Sequence, residues 1–115
     1  MIINNDRFEF SLQDTTILRN LILENPNLPL LVFAGEEAWS GEYAYEQVDA
    51  RTHGVQELTL YKDRWVDKDD YEEELRYDLS YNEGYKKLSD EEYDNMIQKE
   101  VAETEFCQAI VVYVG

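Results

Sequence analysis

Apolar residues between Thr15 and Asn25 fall at Ile17, Leu18, Leu21 and Ile22, the spacing of one stripe on an α-helix. Asp14 or Thr15 stands where a cap belongs, and Asn25-Pro26-Asn27 ends the pattern. Leu28 to Ala34 (LPLLVFA) is short and continuously apolar, which predicts a strand buried on both faces. Its start lies near Pro29, because proline cannot donate to a central ladder. The brief connection predicts that this helix and strand pack on each other. Gly35 and Gly41 then bracket a loop that carries Glu36, Glu37 and Trp39.

Partial alternation in Glu42 to Asp49 puts Tyr43 and Tyr45 on one face. A second alternating stretch, Val55 to Trp65, sets Leu58 and Leu60 against Glu57, Thr59 and Tyr61. With His53-Gly54 as the turn, the two read as an antiparallel pair. Asp67-Lys68-Asp69-Asp70 opens a helix predicted over 69–81, with acids at the positive end of its dipole. Tyr71, Leu75 and Leu79 recur at i, i+4 and i+8 and face the core, and Glu72 and Arg76 form an i, i+4 pair. Asn82-Glu83-Gly84 stops that helix. Ser89 and Glu92 form a capping box for a helix over 90–104, with Tyr93, Met96, Ile97 and Val101 inward. The last element is a strand over 109–114 with both faces covered. Neither repeats nor linkers interrupt the chain. The expectation is therefore one α+β domain over 1–115, about three helices packed on a small mixed or antiparallel sheet.

Composition supports a compact core. Of 115 residues, 43% are hydrophobic and 13% aromatic, too many for a wholly disordered chain. Charge changes the picture more. Twenty-six acids against ten bases give a net charge of −16. Such a chain repels nucleic acid and anionic membranes and is drawn to basic protein surfaces. Residues 63–105 hold sixteen acids and six bases, and residues 36–50 hold five acids and no base. The acid thus belongs to the two later helices and the Trp39 loop. Acids three or four apart on a helix lie ~5–6 Å from one another, so two such helices and the loop can imitate part of a phosphate track. Solvated helix faces that serve only solubility are the alternative.

Catalytic chemistry finds few tools here. His53 is the sole histidine and Cys107 the sole cysteine, too few for a zinc site. Cys107 adjoins the apolar run 109–114 and reads as a small core hydrophobe, so no disulfide forms and a reducing cytoplasm is the expected compartment. The five glycines are scattered and build no phosphate-cradling loop, and Asp67-Lys68-Asp69-Asp70 lacks the offsets of a calcium loop. The N-terminus has no secretory-signal pattern, and no apolar run reaches the ~20 residues of a membrane span. The expected protein is not an enzyme and takes no cofactor or metal. Its candidate partner-binding residues are Glu36, Glu37, Trp39, Asp69, Asp70, Glu73, Glu74, Asp90, Glu91 and Asp94.

Leu18 to Leu30 (LRNLILENPNLPL) with Gly35-Glu36-Glu37-Ala38, then Tyr61-Lys62-Asp63-Arg64-Trp65 followed by the acidic helix, and the ending Lys99 to Gly115 with its run Ala109 to Tyr113 together resemble a group of small acidic proteins. These are carried by phages and integrated mobile elements of Gram-positive bacteria. The shared motifs are structural and name no chemistry. By analogy of size, charge and genetic context, the resemblance implies an anti-CRISPR or similar anti-defence factor. Its partner would be a basic protein surface, such as that of Cas9, which reads its PAM through arginines and holds nucleic acid in a positive channel. An accessory structural or regulatory protein of the element, acting through protein–protein contacts, is the alternative.

Overall fold

A computed structural model of the protein describes residues 1–10, 12 and 14–115. Their helices and strands make an α+β fold: α1 (Thr16–Glu24), β1 (Leu30–Ala34), β2 (Ala50–Tyr61), β3 (Arg64–Asp67), α2 (Lys68–Leu79), the single-turn α3 (Glu83–Lys86), α4 (Asp90–Glu103) and β4 (Cys107–Val114), with a 3-10 turn at Asn5–Arg7. The four strands form one mixed sheet in the order β1-β4-β2-β3. β1 runs parallel to β4 with Leu30 opposite Ile110 and Ala34 opposite Val114. β2 and β3 are antiparallel, with Leu60 opposite Trp65. Two compact units are distinguished, residues 1–56 with 109–115 and residues 57–108.

The second unit carries a clear core. Val66, Tyr71, Leu75, Ile97 and Val101 are buried together, and Tyr61, Leu79, Tyr93 and Phe106 pack around them. Ile97 is wholly inaccessible. The helical spacing of Tyr71, Leu75 and Leu79 on α2, and of Tyr93, Ile97 and Val101 on α4, produces this packing as the sequence predicts. Edge-to-face contacts join Tyr61 to Tyr71 at 5.3 Å and Tyr71 to Phe106 at 5.8 Å. Ser89 caps α4 by accepting from the Glu92 N–H, and the Glu92 carboxylate accepts from the Ser89 N–H, the foreseen capping box.

In the first unit, Ala109, Ile110, Val111 and Val112 of β4 are buried, as expected. Among the described residues of 1–56 none is fully buried. β1 is an edge strand with alternating exposure, not a strand covered on both faces. A continuous apolar run identifies a strand but does not say whether it has one neighbour or two. On α1 only Leu18 and Leu21 are half-buried; Ile17 and Ile22 are exposed. The Thr15 side chain makes no capping bond, and the Asp14 carboxylate accepts from the Thr16 N–H at 2.9 Å instead. Its two bonds from Thr16, side chain before backbone, hold Asp14 below the usual carboxylate range.

Three further expectations are corrected. Residues 42–49 form no strand, and His53-Gly54 lies inside β2, where the His53 ring stacks on Tyr113 at 5.9 Å. The turn falls instead at Lys62-Asp63, both at positive φ (53° and 63°), the two-residue geometry that matches strand twist. Cys107 is exposed rather than in the core. It begins β4, two residues before the buried run starts.

Candidate functional site

The acidic residues of α2 and α4 are placed by the packing of the helices on each other. Tyr71 Oη meets Thr104 Oγ1 at 2.9 Å, Gln98 Nε2 donates to Glu72 at 2.8 Å, and Tyr93 Oη donates to the Arg76 carbonyl at 2.6 Å. Early α2 residues therefore meet late α4 residues, so the helices are antiparallel. Arg76 sits between them and pairs with both Glu72 (3.0 Å) and Asp94. Hydrogen bonds from its guanidinium to Asp94 and then Glu72 raise its pKa further, so it is a fixed cation.

Beside α2, the β2–β3 hairpin supplies Lys62 and Arg64. Lys62 pairs with Asp78 at 2.8 Å and Arg64 pairs with Glu74. Asp78 also accepts from the Tyr61 hydroxyl. The bonds from Lys62 and then Tyr61 hold Asp78 below the ordinary carboxylate range. Burial, reinforced by Asp78, pushes the Tyr61 hydroxyl up to about 12. Lys62, Arg64, Glu74 and Asp78, with Asp70, Glu73 and Tyr77, line a groove of ≈ 550 Å³. Glu74 gives one oxygen to Arg64; its other oxygen is buried with no partner among the described residues.

The predicted site residues divide accordingly. Asp69, Asp70 and Glu73 on α2 and Asp90 and Glu91 on α4 are exposed and pair with no cation among the described residues. Glu74 and Asp94 are engaged by Arg64 and Arg76 and act as clamps. Because the helices are antiparallel, the two free acidic turns lie at opposite ends of the pair. The 12 residues of α2 set their separation at ~18 Å. In the other unit, Glu36 and Glu37 are exposed beyond β1. Trp39 is 61% exposed and its indole N–H donates to the Tyr43 carbonyl at 2.9 Å. Glu46 accepts from both Ser40 Oγ and Ser40 N, and those bonds keep it below the usual carboxylate range.

The spacing of Glu72 and Arg76 is visible in the sequence. The pairs Lys62–Asp78, Arg64–Glu74 and Arg76–Asp94 are not, since 10 to 18 residues separate their members. Tyr77 and Tyr81 add an exposed aromatic pair at i, i+4, rings 5.3 Å apart and edge-on, with one hydroxyl donating to the other at 3.2 Å. Their helical spacing was the available signal. Among the described residues, no group of three or more His, Cys, Asp or Glu is placed to hold a metal ion and no helix is long and apolar enough to cross a membrane.

What the fold and site define is an α+β protein whose second unit ties α2 to the antiparallel α4 by one ion pair and to the β2–β3 hairpin by two, and leaves acidic turns free. Comparison with protein-family models, curated proteins and solved structures finds no match to the chain.

Proposed function

We propose that this is an acidic binding protein that inhibits a nucleic-acid-binding enzyme by occupying its basic site. It is a nucleic-acid mimic of the anti-CRISPR or similar anti-defence kind, acts in the cytoplasm and is not itself an enzyme. One observation carries the reading. In residues 57–108, Lys62, Arg64, Arg76 and Lys86 are held in internal ion pairs; Lys68, Lys87 and Lys99 are exposed outside those pairs, but Asp69, Asp70, Glu73, Asp90 and Glu91 stay exposed without a cation and outnumber them. The acid surplus is therefore presented to solvent. Arginines that bind phosphate oxygens bind carboxylates by the same paired N–H···O bonds. Cas9 is a partner of this chemistry, and the resemblance to phage and mobile-element proteins favours a defence enzyme over other basic proteins.

The test is competition. The protein should be displaced from its partner by short nucleic acid, and the reverse should hold. Added salt should slow association more than it speeds dissociation. Neutralising Asp69, Asp70 and Glu73 together, or Asp90 with Glu91, should weaken binding at least ~10-fold, ~1.4 kcal/mol, with the fold intact. Glu74 and Asp94 are left unaltered because their loss also frees Arg64 and Arg76. The second reading, an accessory structural or regulatory protein, is favoured by the exposed Trp39, Tyr77 and Tyr81. It takes over if nucleic acid and this protein bind the partner simultaneously with unchanged affinities.

A further inference from the structure

β1 ends the sheet, so one edge of its backbone has no neighbouring strand among the described residues. The Pro29 carbonyl accepts from Ile110 N–H at 2.9 Å, and Gly35 N–H donates to the Val114 carbonyl at 3.0 Å. By the alternation of a parallel ladder, Pro29, Leu31, Phe33 and Gly35 direct their backbone groups to β4. Leu30, Val32 and Ala34 then direct theirs outward, where they meet no partner among the described residues. The side chains of Leu30 and Val32 are also open, 48% and 58% exposed. Natural edges are blunted by charge, proline or a bulge. β1 has none of these: no charge falls between Asn25 and Gly35, and no proline or positive φ interrupts the strand.

We infer that the β1 edge binds a second copy of this chain, with two β1 strands antiparallel about a two-fold axis at Val32. Three outward residues centred on Val32 are self-complementary. Val32 pairs with its mate, and Leu30 pairs with the Ala34 of the second copy. Charge selects this occupant. Residues 1–35 contribute only −2 of the net −16, and the strand and its flanks from 25 to 35 contribute nothing. A basic partner finds no carboxylate along the strand, whereas a second copy meets a neutral seam. A pair of five-residue strands is smaller than the ~1,200 Å² of a stable interface. An interface of that size gives a weak, concentration-dependent dimer.

Sedimentation of the full chain tests this across concentration and salt. Dimer is expected to increase with concentration and with added salt, since salt screens repulsion between the acidic segments while the seam itself is uncharged. Val32→Lys should give monomer with an unchanged circular dichroism spectrum. With Cys107→Ser removing the native thiol, Val32→Cys should cross-link on oxidation, because directly paired residues lie ~5.5 Å apart, within disulfide reach. Ala34→Cys should not cross-link to its own mate, four residues away along the strand at ~13 Å. A monomer at ~1 mM in ~0.5 M salt would overturn the inference and leave the edge to a strand of another protein. Dimerisation unaffected by Val32→Lys, or equal cross-linking at 32 and 34, would also overturn it.

Discussion

Ile97 and Glu91 stand on one helix six residues apart, yet one is sealed in the core and the other points to water. Truncating Ile97 removes buried methyl and methylene groups and leaves a cavity that its neighbours Val66, Tyr71, Leu75 and Val101 fill only in part. Ile97→Ala should lower stability by ~2–5 kcal/mol, and Glu91→Ala by less than ~0.5 kcal/mol. Denaturant midpoints of the two variants check this, and equal small losses would show that the phase of α4 is wrong. Glu74 and Asp94 show the limit of reading a residue by type alone. Each has the composition of a partner-binding acid, and each is held instead by an arginine from elsewhere in the unit.

At the scale of elements, the β2–β3 hairpin turns on Lys62 and Asp63, residues without the Asn-Gly signature of such turns. Aspartate tolerates the left-handed region because its short polar side chain bonds locally, and a β-branched residue does not. Asp63→Gly should leave stability unchanged or raise it by up to ~1 kcal/mol, and Asp63→Val should lower it by ~1–2 kcal/mol. Thermal melts of both variants decide the point; a tolerated valine would mean that the turn is built otherwise. The hairpin also places Lys62 and Arg64 against α2, so its register fixes the groove. β1 differs in kind. Its apolar run is that of a central strand, but its place in the sheet is an edge, and sequence periodicity carries no information about strand order.

For the whole molecule, a net charge of −16 opposes compaction, and five ion pairs among the described residues relieve only part of it. Self-repulsion is long-ranged and is screened once the Debye length falls to ~10 Å. Raising salt from low to ~0.3 M should therefore raise the thermal midpoint by a few degrees, ~4–8 °C for each kcal/mol of relief. A midpoint that falls with salt would mean that the Arg76 and Lys62 clusters outweigh the repulsion. Binding to a basic partner should respond oppositely, weakening as salt rises.

The amino-acid sequence by itself determined the α+β class, the helices over most of 68–79 and 90–103, their inward faces, the capping box and the buried run of β4. Each depends on interactions within a few residues or on a period that local geometry dictates. It also determined the surplus of acid. Only the tertiary structure decided which carboxylates are free, because Arg64, Arg76 and Lys62 choose partners 10 to 18 residues away through the packing of α2 on α4 and on the hairpin. It likewise decided that β1 is an edge and that the acidic turns of α2 and α4 lie at opposite ends of an antiparallel pair. Strand order and helix direction follow from which surfaces bury each other, and no local pattern in the chain encodes that.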